Sequence, residues 1–200
     1  LRRLQETLCE TPRREQLASE LASLLRRSAN GHSDEQWKTM IATLHRIGEH
    51  DEEGKIEGDT FFYVQMRFET QVQQSVYEPE NWSVVKDFLR AFAKSMKRMP
   101  WKQRAIETIA ADGVASAQLS GDEEIESIVF GSLVPETVEK DRLAFNLACF
   151  YAVRGDEAKL LQWTEKALAL GKAPDQFRSD EDFAAYRELQ AFLALLDAAE

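Results

Sequence analysis

The sequence predicts an all-α protein built from stacked antiparallel helical hairpins, as an α-solenoid or an irregular helical bundle. Three observations predict it. Apolar residues recur at three- and four-residue spacing through most of the chain. Capping residues and single glycines punctuate those runs. Only 5 Pro and 9 Gly occur in 200 residues, whereas all-β architectures spend more of both on turns.

The elements follow in order. Leu1, Leu4 and Leu8 share one face of a short first helix. Thr11 and Pro12 read as a cap and first-turn proline, ahead of a stripe of Leu17, Leu21, Leu24 and Leu25 that Asn30 and Gly31 stop. Ser33 to Gln36 form a capping box, followed by Trp37, Met40, Ile41, Leu44 and Ile47. Residues 13–48 thus make a helical hairpin. Residues 49–59 are an acidic loop. Residues 60–77 fit a helix through Phe61, Val64, Phe68, Val72 and Val76, and a strand through Phe62, Val64, Met66 and Phe68. Their length favours the helix.

Asn81 is placed to cap a helix whose stripe is Trp82, Val85, Phe88, Leu89, Phe92, Ala93 and Met96. A shorter helix is expected at 101–112, broken by Gly113, with 114–119 left unassigned. Residues 82–131 form the next candidate hairpin. Ser120 to Glu123 read as a second capping box before Ile125, Ile128 and Val129. The clearest helix spans Pro135 to Arg154. Gly155 and Asp156 turn the chain into a partner helix, Glu157 to Leu170, ended by Gly171. An acidic turn at 179–182 precedes a final helix carrying Leu189, Phe192, Leu193, Leu195 and Leu196. The domain reading is helical hairpins over 1–134 and a hairpin with a closing helix over 135–200, as one continuous domain.

Composition narrows the function. The formal net charge is −10, which repels phosphate backbones and argues against nucleic acid as a partner. Two cysteines, Cys9 and Cys149, lie too far apart in sequence to suggest a metal pair or a disulfide framework. No run approaches the roughly 20 apolar residues that cross a bilayer, so no membrane partner is expected. Residues 1–30 are charged throughout and do not read as a signal peptide, although a trimmed N-terminus stays open because the chain begins at Leu1. A reducing compartment, the cytoplasm, is the expected location.

Residues 143–170 carry a resemblance. Leu147, Ala148, Tyr151, the Gly155 and Asp156 turn, Ala167 and Leu168 match the spacing of a tetratricopeptide repeat. Small Ala148 and Ala167 let two helices approach closely, while Leu147 and Tyr151 fill the groove between them. The sequence departs from the pattern at Leu160, usually small, at Thr164, usually aromatic, and at Lys172, usually proline. One repeat near 140–173 is clear, and 177–198 resembles the closing segment of this family. The upstream hairpins at 13–48 and 82–131 read as degenerate repeats, because a single repeat cannot bury its own face.

The resemblance implies a protein or peptide partner gripped by the first helix of the hairpin, at Arg142, Phe145, Asn146, Cys149 and Val153. Asn146 could bond a peptide backbone and Arg142 a carboxylate. Phe145 and Cys149 read equally well as core residues. A secondary surface is the basic face of Arg90, Lys94, Lys97 and Arg98, spaced at three and four residues. Its plainer reading is a solvated face paired with the chain's own acids. Chemistry has no comparable signal. His45 and His50 with Asp51 or Glu53 read as surface residues rather than metal ligands. No phosphate loop or nucleophile elbow is present. No metal, cofactor or catalytic residue is expected. The functional expectation is a non-enzymatic interaction module: a scaffold, adaptor or chaperone-like binder. The alternatives are a bacterial immunity-type inhibitor of a basic toxin and an enzyme with an unconventional site. Self-association is open through the Leu1, Leu4 and Leu8 face.

Overall fold

The computed structural model describes residues 69, 70, 72–97 and 101–199. The expected helices and hairpin before residue 49, the acidic loop 49–59, both candidate histidines, Cys9 and Arg98 lie outside them. Among the described residues 80% are helical and none is in a strand, so the chain is all-α there. It folds as two compact units, Leu1–Trp101 and Lys102–Glu200.

In the first unit, residues 72–77 are helical, which answers the helix-or-strand ambiguity for that stretch. Pro79–Asn81 form a 3-10 turn that runs straight into α1, Trp82–Met96. Asn81 does not cap α1 as expected; its Nδ2 donates back to Glu78 Oε2 at 2.9 Å. Val85, Phe88, Leu89, Phe92 and Ala93 are buried, the stripe that their spacing predicts. Phe92 packs on Trp101 with centroids 5.2 Å apart.

The second unit contains α2 (Gln103–Ser120), α3 (Glu123–Ile128), a π-helical turn (Val129–Leu133), α4 (Asp141–Arg154), α5 (Glu157–Ala169), α6 (Pro174–Ser179), a 3-10 segment (Glu181–Tyr186) and α7 (Gln190–Asp197). Helix α2 passes through Gly113 instead of stopping there. Gly costs about 1 kcal/mol within a helix. Here Gly113 is buried in a run with Ala110, Ala111, Val114 and Ala117, and packing outweighs that cost. Gly121 ends the helix in the left-handed region, at φ 62°. Asp122, not Ser120, caps α3. Its Oδ1 accepts from the Glu124 and Ile125 amides at 2.8 and 3.2 Å, while Ser120 Oγ accepts from the Asp122 amide.

Helix α4 begins at Asp141, six residues after the expected start at Pro135. The cause lies on α2. The buried Glu107 carboxylate accepts the Glu139 amide at 2.9 Å and the Lys140 amide at 2.6 Å. Gln103 Nε2 steadies Glu107 Oε1 at 2.8 Å and also donates to the Thr137 carbonyl. A carboxylate from the neighbouring helix therefore holds the two amides just ahead of α4 and supplies the anion that a helix N-terminus favours. This holds 137–140 out of the helix.

The other end of α4 follows the sequence closely. Gly155 sits at φ 72°, and the Gly155 and Asp156 amides return to the Ala152 and Tyr151 carbonyls. Asp156 Oδ1 then caps α5 through the Lys159 amide at 3.1 Å. Two residues thus end one helix and start the next. Helices α4 and α5 form the most extensive contact of the unit, with α2 against α4 next. From the connection ahead of α4 into α4 the contacts with α2 advance in the same direction: Gln103 with Thr137, Glu107 with Glu139 and Lys140, then Ala111 with Asn146. The two helices therefore lie side by side and parallel. Phe177, Phe183 and Phe192 of the C-terminal segment are fully buried and interlock, with Phe183 and Phe192 stacked 5.6 Å apart.

Candidate functional site

The five residues expected to face a partner sit on α4 and mostly meet their own chain. Arg142 pairs with the buried carboxylate of Asp112 and stays 45% exposed. Asn146 Nδ2 donates to the Ala111 carbonyl at 2.8 Å. Phe145 stands edge-on to Phe177 and Phe183, centroids 4.9 and 5.7 Å away. The Lys172 ammonium lies 4.3 Å from the Phe145 ring centre. Cys149 is buried. Val153, at the end of the row, is 55% exposed. The C-terminal segment therefore covers the middle of the row and leaves its two ends open. On α1, Arg90 pairs with Asp87 at 2.8 Å and Lys94 is exposed, as is Lys97 just past the end of the helix.

Two arrangements had no sequence signal. The first surrounds Cys149. The 3-10 segment brings Asp180 and Asp182 to it, so that a thiol sulfur and two carboxylate oxygens lie within 4.8 Å of one another. Asp180 Oδ1 accepts the Asp182 amide at 3.0 Å, and Asp182 Oδ2 accepts from Gln118 Nε2 at 2.8 Å. Burial, then the charges of Asp180 and Asp182, push the Cys149 thiol far above its ordinary range; Lys172 acts weakly the other way. The thiol is accordingly protonated, beside the Asp180 and Asp182 carboxylates. The donor types suit a thiophilic divalent cation, but one would have to displace that proton and disturb carboxylates already bonded to Gln118 and the backbone. A buried protonated thiol is likewise a poor nucleophile.

The second is an open groove of about 440 Å³ between residues 136–138 and α5. Glu136 and Val138 line one wall, and Gln162, Trp163, Glu165 and Lys166 the other. Gln162, Glu165 and Lys166 fall at three- and four-residue spacing, one stripe of α5, with half-buried Trp163 beside them. The wall at 136–138 exists because Glu107 and Gln103 hold that connection out of α4.

Charge is distributed unevenly. Residues 102–200 hold ten Lys and Arg against nineteen Asp and Glu, a formal −9 of the chain's −10. The acidity detected in the composition thus belongs almost wholly to this unit.

No protein-family model matches the chain, and no curated protein or solved structure matches it. No helix among the described residues is long and apolar enough to cross a membrane.

Proposed function

We propose that the C-terminal unit is a helical-hairpin interaction module of the tetratricopeptide kind, which binds a protein or peptide partner and performs no chemistry. The observation that carries this reading is the α4 and α5 hairpin with α2 laid parallel to α4 and an open, Trp163-bearing groove left along α5. Parallel first helices of successive hairpins are the packing on which helical-repeat binders are built. A half-buried tryptophan within a polar rim is the kind of residue that anchors a protein interface. The groove along α5 serves this role better than the middle of the α4 row, where Phe145 and Cys149 already lie against the C-terminal segment. The concentration of acid in this unit supports a basic partner, and so favours the narrower form of the reading, an immunity-type inhibitor that neutralises a basic toxin.

The test is affinity capture with the full chain as bait, beside Trp163→Ala and Val153→Asp variants checked for helicity by circular dichroism. The recovered protein is then purified and its binding measured by calorimetry. A saturable complex weakened about tenfold or more by Trp163→Ala supports the module and its α5 surface. A complex sensitive only to Val153→Asp moves the surface to the end of α4. Failure to recover any saturable partner overturns the reading.

A further inference from the structure

We propose that the groove between residues 136–138 and α5 receives an arginine side chain from a basic segment of the partner, its guanidinium laid over Trp163 and held by Glu136 and Glu165. This rests on the interaction-module reading and adds the chemistry of what is bound.

The groove's lining points to a cation. Glu136 and Glu165 both line it, and neither has an ion-pair partner among the described residues. Lys166 is the cation on the same walls, so carboxylates outnumber ammonium two to one. Trp163 is half-buried, which fixes its ring while leaving part of it open to the groove. Tryptophan is the aromatic residue that attracts cations most strongly. The guanidinium is the cation that best suits such a place. It is flat enough to stack on an indole, it is weakly hydrated, and its forked donors match carboxylates. The formal charge of −9 over residues 102–200 draws a basic segment toward the unit from a distance.

The experiment uses the full chain, ¹⁵N-labelled, and an acetylated Gly-Arg-Gly amide peptide. The indole N–H signal of Trp163 is assigned by its loss in Trp163→Phe. Two further peptides carry lysine or neutral citrulline in place of arginine. The expected result is a saturable shift of that signal by the arginine peptide, with about tenfold weaker binding of lysine and no saturation by citrulline. The Glu136→Gln, Glu165→Gln double variant should lose about tenfold in affinity while the rest of the spectrum is unchanged. Citrulline binding as well as arginine, or wild-type affinity in the double variant, overturns the proposal. The two readings fail separately. A captured partner that binds the double variant normally leaves the module standing and removes the arginine site. A titrating Trp163 signal without any captured partner does the reverse.

Discussion

Thr164 shows how a single atom can mark a compromise. Its side chain is fully buried on α5, and its Oγ1 has no hydrogen-bond partner. A buried hydroxyl left unsatisfied costs about 1–3 kcal/mol. Thr164→Val keeps the shape and removes the orphan, so it should raise stability by about 1 kcal/mol, read as a higher midpoint in urea. Cys149 makes the opposite case, a polar atom satisfied by staying protonated. Its native pKa is raised, so its contribution is complete below the ordinary thiol value near 9 and is lost as pH climbs from there toward the native value. The native chain holds a proton that the unfolded chain has released, and stability therefore falls with rising pH, by at most about 1.4 kcal/mol per pH unit. Cys149→Ala should flatten that decline between pH 8 and 10 in urea melts. Iodoacetamide at pH 8.5 should leave Cys149 unmodified in the native protein and alkylate it in urea, scored by peptide mass spectrometry so that Cys9 is read separately.

At the scale of elements, the beginning of α4 is the informative one. Glu107 on α2 holds the Glu139 and Lys140 amides. Glu107→Gln keeps the shape but replaces one acceptor with a donor facing those amides, and should cost about 2 kcal/mol in urea unfolding. This contact explains why the start of α4 was not legible in the sequence. Pro135 is a sound first-turn residue by local rules, and what overrides it lies 28 residues upstream. Adjacent residues decide some junctions and mislead at others, since Asn81 bonds back to Glu78 and Asp122 replaces Ser120 as the cap of α3. Gly155 and Asp156 end α4 and cap α5 between them, and the α1 stripe needs only its own spacing. Gly113 misled for the same reason as Pro135, since burial against a neighbour is not written in the local pattern. The groove behaves alike. Trp163 is visible as a residue, but its opposite wall depends on the Glu107 contact. Asp180 and Asp182 reach Cys149 only because the chain turns back after α5.

Across the whole C-terminal unit, the aromatic cluster of Phe177, Phe183 and Phe192 closes the hairpin. Each is fully buried, and replacing one by Ala typically costs about 3–5 kcal/mol. Removing all three at once approaches or exceeds the 5–15 kcal/mol that commonly holds a protein folded. Deletion of residues 174–200 should therefore abolish the cooperative thermal transition of this unit in circular dichroism and open Cys149 to iodoacetamide at pH 8.5. Phe183→Ala alone should keep the transition and lower its midpoint. The closing segment also sets the character of the α4 row. It covers Phe145 and Cys149 and leaves Val153 to solvent.

The carboxylate that starts α4 has a further consequence, for heredity rather than stability. A repeat that supplies its own ends can be copied, moved and strung into longer arrays by simple duplication of its gene segment. This hairpin does not supply its own start. A duplicate of residues 135–173 would arrive without Glu107, and its first helix would begin wherever local preference put it. Lengthening this molecule by duplication with the start of α4 preserved requires copying α2 along with the hairpin, so the block becomes four helices, α2 to α5, and the π-helical turn between them rather than two.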